Sequence, residues 1–133
     1  MNVVIDSSVI VAALVDTGAT GSWAERIIEN GLLHAPELIR IEVTGVLRRL
    51  ELARQIDQPE ANAAFADFME LNLELLSFDP FSDRIWELRQ SVSSYDAWYV
   101  AVAEALDLPL ATLDQRLTAA EGPKCQFLAP DKN

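Results

Sequence analysis

Apolar residues fall along this chain in short blocks that switch between two periods. Val3-Val4-Ile5 is a β-branched run ending at Asp6, which predicts a buried strand. Ser7 and Ser8 are placed to cap the next block, Val9 to Val15, a short apolar helix. Gly18 and Gly21 mark a turn, after which Ser22 starts a helix carrying Trp23, Ile27 and Ile28 on one side and stopping at Gly31. Leu32 to Ala35 reads as a short strand. Pro36 opens the most periodic segment, with Ile39, Val43, Val46, Leu47 and Leu50 at helical spacing to about Arg54. Asp57-Gln58-Pro59-Glu60 is a helix entry with proline in the first turn, and Phe65, Phe68 and Met69 give that helix its apolar face. Leu73 to Phe78 predicts a strand and Asp79-Pro80 a turn. Ile85, Leu88 and Val92 define another helix, and Ser93-Ser94 precede one from about Tyr95 to Leu106. Pro109 to Thr112 is a short strand, Asp114 opens a helix to about Glu121, and Gln126-Phe127-Leu128 is a last edge strand.

Strands alternating with helices predict an α/β fold, a mainly parallel sheet of four or five strands covered on both faces. In such sheets ligands lie outside the C-terminal ends of the strands, where the strand order reverses. The length of 133 residues and an apolar half fit one domain, 1–133, with a true core. The run from Val9 to Val15 is far short of the about 20 residues of a membrane span. A single cysteine, Cys125, makes no intramolecular disulfide and no zinc cluster, so a reducing cytoplasm is the expected compartment.

A net charge of −11 argues against simple electrostatic binding of nucleic acid. The argument reverses if part of the acid is a metal site, because bound cations invert the local sign. Four carboxylates are candidates. Asp6 ends the first strand where a helix begins, and capping that helix is its plainer role. Glu42 has Leu38, Ile39 and Val46 one turn away, so it borders an apolar stripe, where a buried carboxylate needs compensation. Arg49 reaching back, or a metal ion, would each supply it. Asp96 lies in the first turn of an otherwise apolar helix, whose N-terminus favours negative charge. Asp114 follows Leu110-Ala111-Thr112 and again starts a helix, so it too has a capping role open to it.

Clustered like charges raise each other's pKa and need a reason to coexist. An all-oxygen cluster suits Mg²⁺ or Mn²⁺. Other chemistries are poorly supplied. His34 is the only histidine and reads as a strand residue, Cys125 as structural, and Ser7 and Ser8 lack an obvious base. No G-x-S-x-G elbow, P-loop or G-x-G-x-x-G is present.

Four stretches, Val4-Ile5-Asp6-Ser7-Ser8-Val9-Ile10, Leu38-Ile39-Arg40-Ile41-Glu42-Val43, Tyr95-Asp96-Ala97-Trp98-Tyr99-Val100-Ala101 and Leu110-Ala111-Thr112-Leu113-Asp114-Gln115-Arg116-Leu117, together resemble the PIN domain and, more narrowly, the VapC toxins of bacterial VapBC toxin–antitoxin systems. The resemblance spans nearly the whole chain. It implies a Rossmann-like three-layer sandwich, a homodimer, and Mg²⁺ or Mn²⁺ held by Asp6, Glu42, Asp96 and Asp114. Ser8 and Thr112 look like the family's hydroxyl residues near the metal. It further implies cleavage of single-stranded or loop RNA, tRNA or rRNA among its targets, and inhibition by a cognate VapB-type antitoxin whose arginine enters the acidic site. Arg40, Arg48, Arg49 and Arg116 are candidates for RNA contact, with solvated helix charges as their ordinary role; the only lysines are Lys124 and Lys132.

The expected chemistry is in-line attack on a phosphodiester by metal-activated water, giving 5′-phosphate and 3′-hydroxyl ends. The competing readings are a non-catalytic binding module of the same fold and, further off, an aspartate phosphoacceptor or phosphatase. The latter is opposed by Ser8, which stands where such phosphatases usually place a second aspartate. Three tryptophans in so small a chain predict apolar surface covered by a partner, unless all three pack in the core.

Overall fold

A computed structural model describes residues 1–131; the end of the expected 1–133 domain, Lys132 and Asn133, lies outside the described residues. Among the described residues five strands and seven α-helices follow one another: β1 Asn2–Ile5, α1 Ser7–Val15, α2 Ala19–Glu29, β2 Leu32–Pro36, α3 Ile39–Leu52, α4 Gln58–Glu70, β3 Leu73–Leu76, α5 Ser82–Glu87, α6 Ser94–Leu106, β4 Leu110–Ala111, α7 Gln115–Ala119 and β5 Phe127–Leu128. Single 3-10 turns at Asp79–Phe81 and Leu88–Gln90 flank α5. The sheet is fully parallel, in the order β3-β2-β1-β4-β5.

That order decides where a site can form. The chain winds from β1 outward to β3 through α1 to α4, then crosses back through α5 and α6 to β4 on the other side of β1. Right-handed crossovers in opposite directions put their helices on opposite faces, and the reversal opens a crevice beyond the C-terminal ends of β1 and β4. The seam is joined by the register pairs Val4↔Leu110 and Ile5↔Ala111, and its edge by the Asp6 amide donating to the Ala111 carbonyl at 3.0 Å.

The core forms where the β-branched runs predict it. Val3, Val4 and Ile5 are fully buried, as are Val9, Ile10, Ile39, Val43, Val100, Val102 and Leu110. Each such side chain contributes about 1.5–3 kcal/mol relative to exposure. Helix α6 lies directly on the sheet, against β1, β2 and β4, which explains why Ala97 and Tyr99 to Ala103 are buried almost without interruption.

Three local expectations change. Helix α2 starts at Ala19, not Ser22, and Gly21 is inside it. A Cβ at Gly21 would lie 1.9 Å from the Asp16 carbonyl oxygen, so this glycine permits the close approach of α1 and α2 and does not break a helix. Pro36 ends β2, where it pairs with Leu76, and does not open α3. Ser7 and Ser8 sit inside the first turn of α1, whose N-cap is Asp6. The helix entry at Asp57 is as expected, with a reciprocal capping box between Asp57 and Glu60. No helix of the described residues is long and apolar enough to cross a membrane.

Candidate functional site

The four sequence candidates come from four different parts of the chain and lie around the β1–β4 crevice. Asp6 follows β1 and is only 8% exposed. It occupies the N-cap position of α1, yet its carboxylate makes no capping bond, which removes the plainer explanation. Oδ2 accepts hydrogen bonds from the Thr112 hydroxyl at 2.7 Å and the Ser8 hydroxyl at 3.0 Å, and Oδ1 accepts one from Ser7 at 3.3 Å.

Those hydroxyls are oriented by backbone. The Leu113 amide donates to Ser8 Oγ at 3.1 Å, and the Asp114 amide donates to Thr112 Oγ1 at 3.0 Å. A hydroxyl that accepts from an amide directs its own proton elsewhere, and here both point it at Asp6. Ser8 and Thr112 therefore tie the turn after β4 to the carboxylate after β1.

Glu42 is in the first turn of α3, on the border of its buried stripe. Arg49, the protein-borne compensation suggested by the sequence, is not its partner. Among the described residues no ion pair joins it to Arg49. Arg49 Nη1 instead stands 3.5 Å from where a Cβ on Gly45 would lie. The partner of Glu42 is Tyr99 of α6, whose hydroxyl donates to Oε1 at 2.6 Å. Burial pushes the Glu42 carboxyl above its ordinary range; the Tyr99 bond opposes this, and the charges of Asp6 and Asp96 add to it.

Asp96 is half-buried in the first turn of α6, which Ser93 caps by accepting from the Asp96 amide at 3.1 Å. Burial raises its carboxyl too, followed by the charges of Asp6 and Asp114, with Ser93 opposing. Asp114 does cap a helix: Oδ1 accepts from the amides of Arg116 at 2.9 Å and Leu117 at 3.3 Å. The structure thus puts Asp96 within range of the charges of Asp6 and Asp114, and Glu42 within range of Asp6 and Asp96, and none of the four has a cationic partner among the described ion pairs.

The chemistry of this donor set, four carboxylates with two aligned hydroxyls and no cation, fits a hard divalent ion. The side chains are not drawn together into a ready-made set, since among the described residues no three His, Cys, Asp or Glu groups stand as a metal cage. Asp6, Glu42 and Asp114 each rest on their own hydroxyl or amide donors.

Tyr99 and Ser7 are the functional neighbours that sequence reasoning missed. Tyr99 is 1% exposed, and burial together with the Glu42 charge holds its phenol protonated far above the ordinary value. Its signal in the sequence was a hydroxyl one helical turn after Asp96 in an otherwise apolar helix.

The remaining candidates sit elsewhere. His34 is in β2 beside Val4, with Nε2 at 3.2 Å from Asn2 Oδ1 and Nδ1 at 3.3 Å from Glu74 Oε2. Asn2 begins β1 whereas Asp6 follows its end, so the histidine faces away from the acids. Burial and the Glu104 charge push the Cys125 thiol up to about 11, which makes it a poor nucleophile. Arg40 leans on the Met69 sulfur at 4.0 Å, and Arg116 stands two residues after Asp114. A cavity of about 270 Å³, lined by Thr20, Leu113, Gln115, Thr118 and Pro130, adjoins the cluster at Thr112 and Asp114.

Comparison with known proteins gives a consistent picture. The PIN domain family model matches residues 3–123. The ribonuclease VapC1 of Mycobacterium tuberculosis is 38% identical over 93% of this chain and 94% of its own length. Among solved structures, PAE2754 of Pyrobaculum aerophilum superposes with a TM-score of 0.69 at 20% identity, covering 96% of this chain and 83% of that one. VapBC-5 of Mycobacterium tuberculosis, described as a member of the VapBC family of toxin–antitoxin systems, has a TM-score of 0.55 at 20% identity and covers 96% of each chain. At that identity the two structures speak for the fold alone.

Proposed function

The chain belongs to the PIN domain family and, within it, to the VapC ribonucleases, and from that premise we propose that it is a toxin-type endoribonuclease dependent on Mg²⁺ or Mn²⁺. One observation carries the reading: four carboxylates from separate elements lie about the topological switch point, and none has a cationic partner among the described ion pairs. A polyanionic RNA does not approach such a surface unless a divalent ion reverses its sign.

Asp6, Glu42, Asp96 and Asp114 would hold the ion. Once bound, it supplies Lewis-acid polarisation of the phosphodiester and a water of lowered pKa. The protein's own contribution is placement. Three hydroxyls fix both oxygens of Asp6, and the Leu113 and Asp114 amides keep Ser8 and Thr112 aimed at it. Asp114 caps α7 through Oδ1 alone, which leaves Oδ2 free of that role. Arg40, two residues before Glu42, and Arg116, two after Asp114, are the cations nearest in sequence to the two flanks of the site and are suited to a phosphate on either side. His34 takes no part as an acid or base, which favours hydrolysis to 5′-phosphate and 3′-hydroxyl ends over attack by a 2′-hydroxyl.

The substrate in this reading is single-stranded or loop RNA, with tRNA and rRNA as the first to try. The partners are a VapB-type antitoxin and a second copy of the chain, acting in the cytoplasm. Apolar surface supports a partner. Trp86 is 67% exposed under the Arg89 guanidinium at 4.3 Å, so the three tryptophans do not all pack in the core. Ile41 and Leu52 are exposed on the same outer face of α3.

A second reading, a non-catalytic binding module of the same fold, draws support from the absence of a preassembled three-ligand group among the described residues. One assay separates the two. Purified protein is given structured and unstructured RNA with Mg²⁺, with Mn²⁺ or with EDTA, beside Asp6→Asn. Metal-dependent cutting lost in the variant is the expected result. Products ending in 2′,3′-cyclic phosphate would overturn the mechanism, and no cutting of any RNA would favour the binding module.

A further inference from the structure

Tyr99 is buried in the core face of α6, and its hydroxyl is 2.6 Å from Glu42 Oε1 on α3. A phenol keeps its proton at neutral pH, so it is a permanent donor in this pair. Ser7, which donates to Asp6 Oδ1, stands beside the same phenol. The hydroxyls of Ser7 and Tyr99 thus each hold one of the two acids that come from β1 and α3. Neither residue carries a charge of its own, so neither carboxylate is neutralised.

We propose that Tyr99 is a positioning residue for the metal site: by holding Glu42 Oε1 it fixes the carboxylate rotamer and leaves Oε2 as the oxygen offered to a divalent cation. Several observations point the same way. The 2.6 Å separation is that of a charge-assisted O–H···O bond, the strong and directional kind. Glu42 has no other side-chain partner among the described hydrogen bonds, so nothing else sets its orientation. The ring itself is 1% exposed and locked by packing, so the donor stays in place while a surface glutamate would sample several rotamers. Helix α6 also carries Asp96 one turn earlier, so one rigid element places one acid directly and a second through its phenol.

This inference rests on the metal-site reading above, and its test distinguishes the two failures. Mn²⁺ is titrated into wild type, Tyr99→Phe, Glu42→Gln and the double variant, following the melting temperature, with RNA cleavage measured in parallel. Tyr99→Phe keeps the ring and its packing and removes only the hydroxyl. Loss of a group that orients a ligand weakens metal binding by about 10–100-fold. A weakening of that order is expected, with the Mn²⁺ concentration for half-maximal cleavage rising in step while activity at saturating Mn²⁺ recovers most of its value. Because Tyr99 acts through Glu42, the double variant should bind Mn²⁺ no more weakly than Glu42→Gln alone.

If Tyr99→Phe melts lower without metal but binds Mn²⁺ as wild type does, the hydroxyl serves the fold only and the proposal is overturned. Additive losses in the double variant overturn it as well. A wild type that shows no Mn²⁺ response removes the metal site itself, and the role of Tyr99 falls with it.

Discussion

Thr112 at the end of β4 donates its hydroxyl to Asp6 at the end of β1 across 2.7 Å, joining residues 106 positions apart in the chain. Both are buried, and Thr112 has no exposed surface at all. The bond is held in a fixed direction because Thr112 Oγ1 also accepts from the Asp114 amide at 3.0 Å. It continues the β1–β4 seam by one position beyond the Ile5↔Ala111 pair.

Thr112→Val is close in shape but removes both hydrogen bonds. It leaves the Asp114 amide without its acceptor and Asp6 Oδ2 with Ser8 alone. A loss of about 1–3 kcal/mol in folding stability is expected, the cost of leaving buried polar groups unpaired. Urea unfolding midpoints measure it, and a variant as stable as wild type would show that the hydroxyl is dispensable to the fold.

Asp96→Asn removes one charge from a half-buried cluster whose members raise each other's pKa. In the absence of divalent cations the variant should melt above wild type at neutral pH, while its stabilisation by added Mn²⁺ should shrink. A clearly lower melting temperature without metal would contradict the idea that repulsion is stored in the cluster.

The pH dependence has two parts of opposite sign. Glu42 and Asp96 have folded pKa values above their ordinary 4.5 and 3.8. Their contribution is therefore full below those values and is lost as pH rises through the raised ones. Glu104 is shifted the other way: burial pulls it upward, but hydrogen bonds from Arg84 and the Lys124 amide, with the Arg84 charge, take it below 4.5. Its contribution is present above 4.5 and is lost as pH falls through the lowered value. Stability without divalent cations should thus peak in mildly acidic solution and decline towards neutrality. Denaturant midpoints across about pH 4 to 8 test this, and a curve that climbs steadily to neutral pH would refute it.

Arg84→Ala tests a device remote from the acids. Arg84 donates to Glu104 through Nε at 2.7 Å and Nη2 at 3.1 Å, and to the Gly122 carbonyl at 2.9 Å, while the Lys124 amide donates to Glu104 at 2.7 Å. This network fastens the segment leading into β5 to α6. The pair is partly exposed, so its removal should cost about 1–2 kcal/mol, less than a fully buried pair. Hydrogen exchange should quicken at the amides of Leu110 and Thr112, which donate to Gln126 and Leu128, with RNA cleavage little changed. Equal exchange in variant and wild type would show that β5 docks without this network.

What the sequence made legible was local. Asp6, Asp96 and Asp114 stand at junctions of strand and helix, and those junctions are visible in apolar runs a few residues long. Glu42 was legible because helical spacing places it beside Ile39 and Val46. Contacts between distant segments were not legible. Tyr99 became the partner of Glu42 only when the folded sheet brought α6 to the start of α3, a relation 57 positions long. Gly21 looked like punctuation because the reason for it, the Asp16 carbonyl of the preceding helix, is a matter of packing. Ser7 and Ser8 looked like caps because the nearest orphan amides are those of α1. Their hydroxyls turn instead to Asp6, which offers a charged acceptor.

The sheet is in effect two plates joined at a narrow hem. On one side lie β3, β2 and β1; on the other, β4 and β5, and the paired residues along the join are Val4 with Leu110 and Ile5 with Ala111. Asp6 and Glu42 belong to the first plate, Thr112 and Asp114 to the second. Any cation gripped by acids from both sides would act as a rivet, so catalytic readiness and resistance to shear along that hem would rise and fall together.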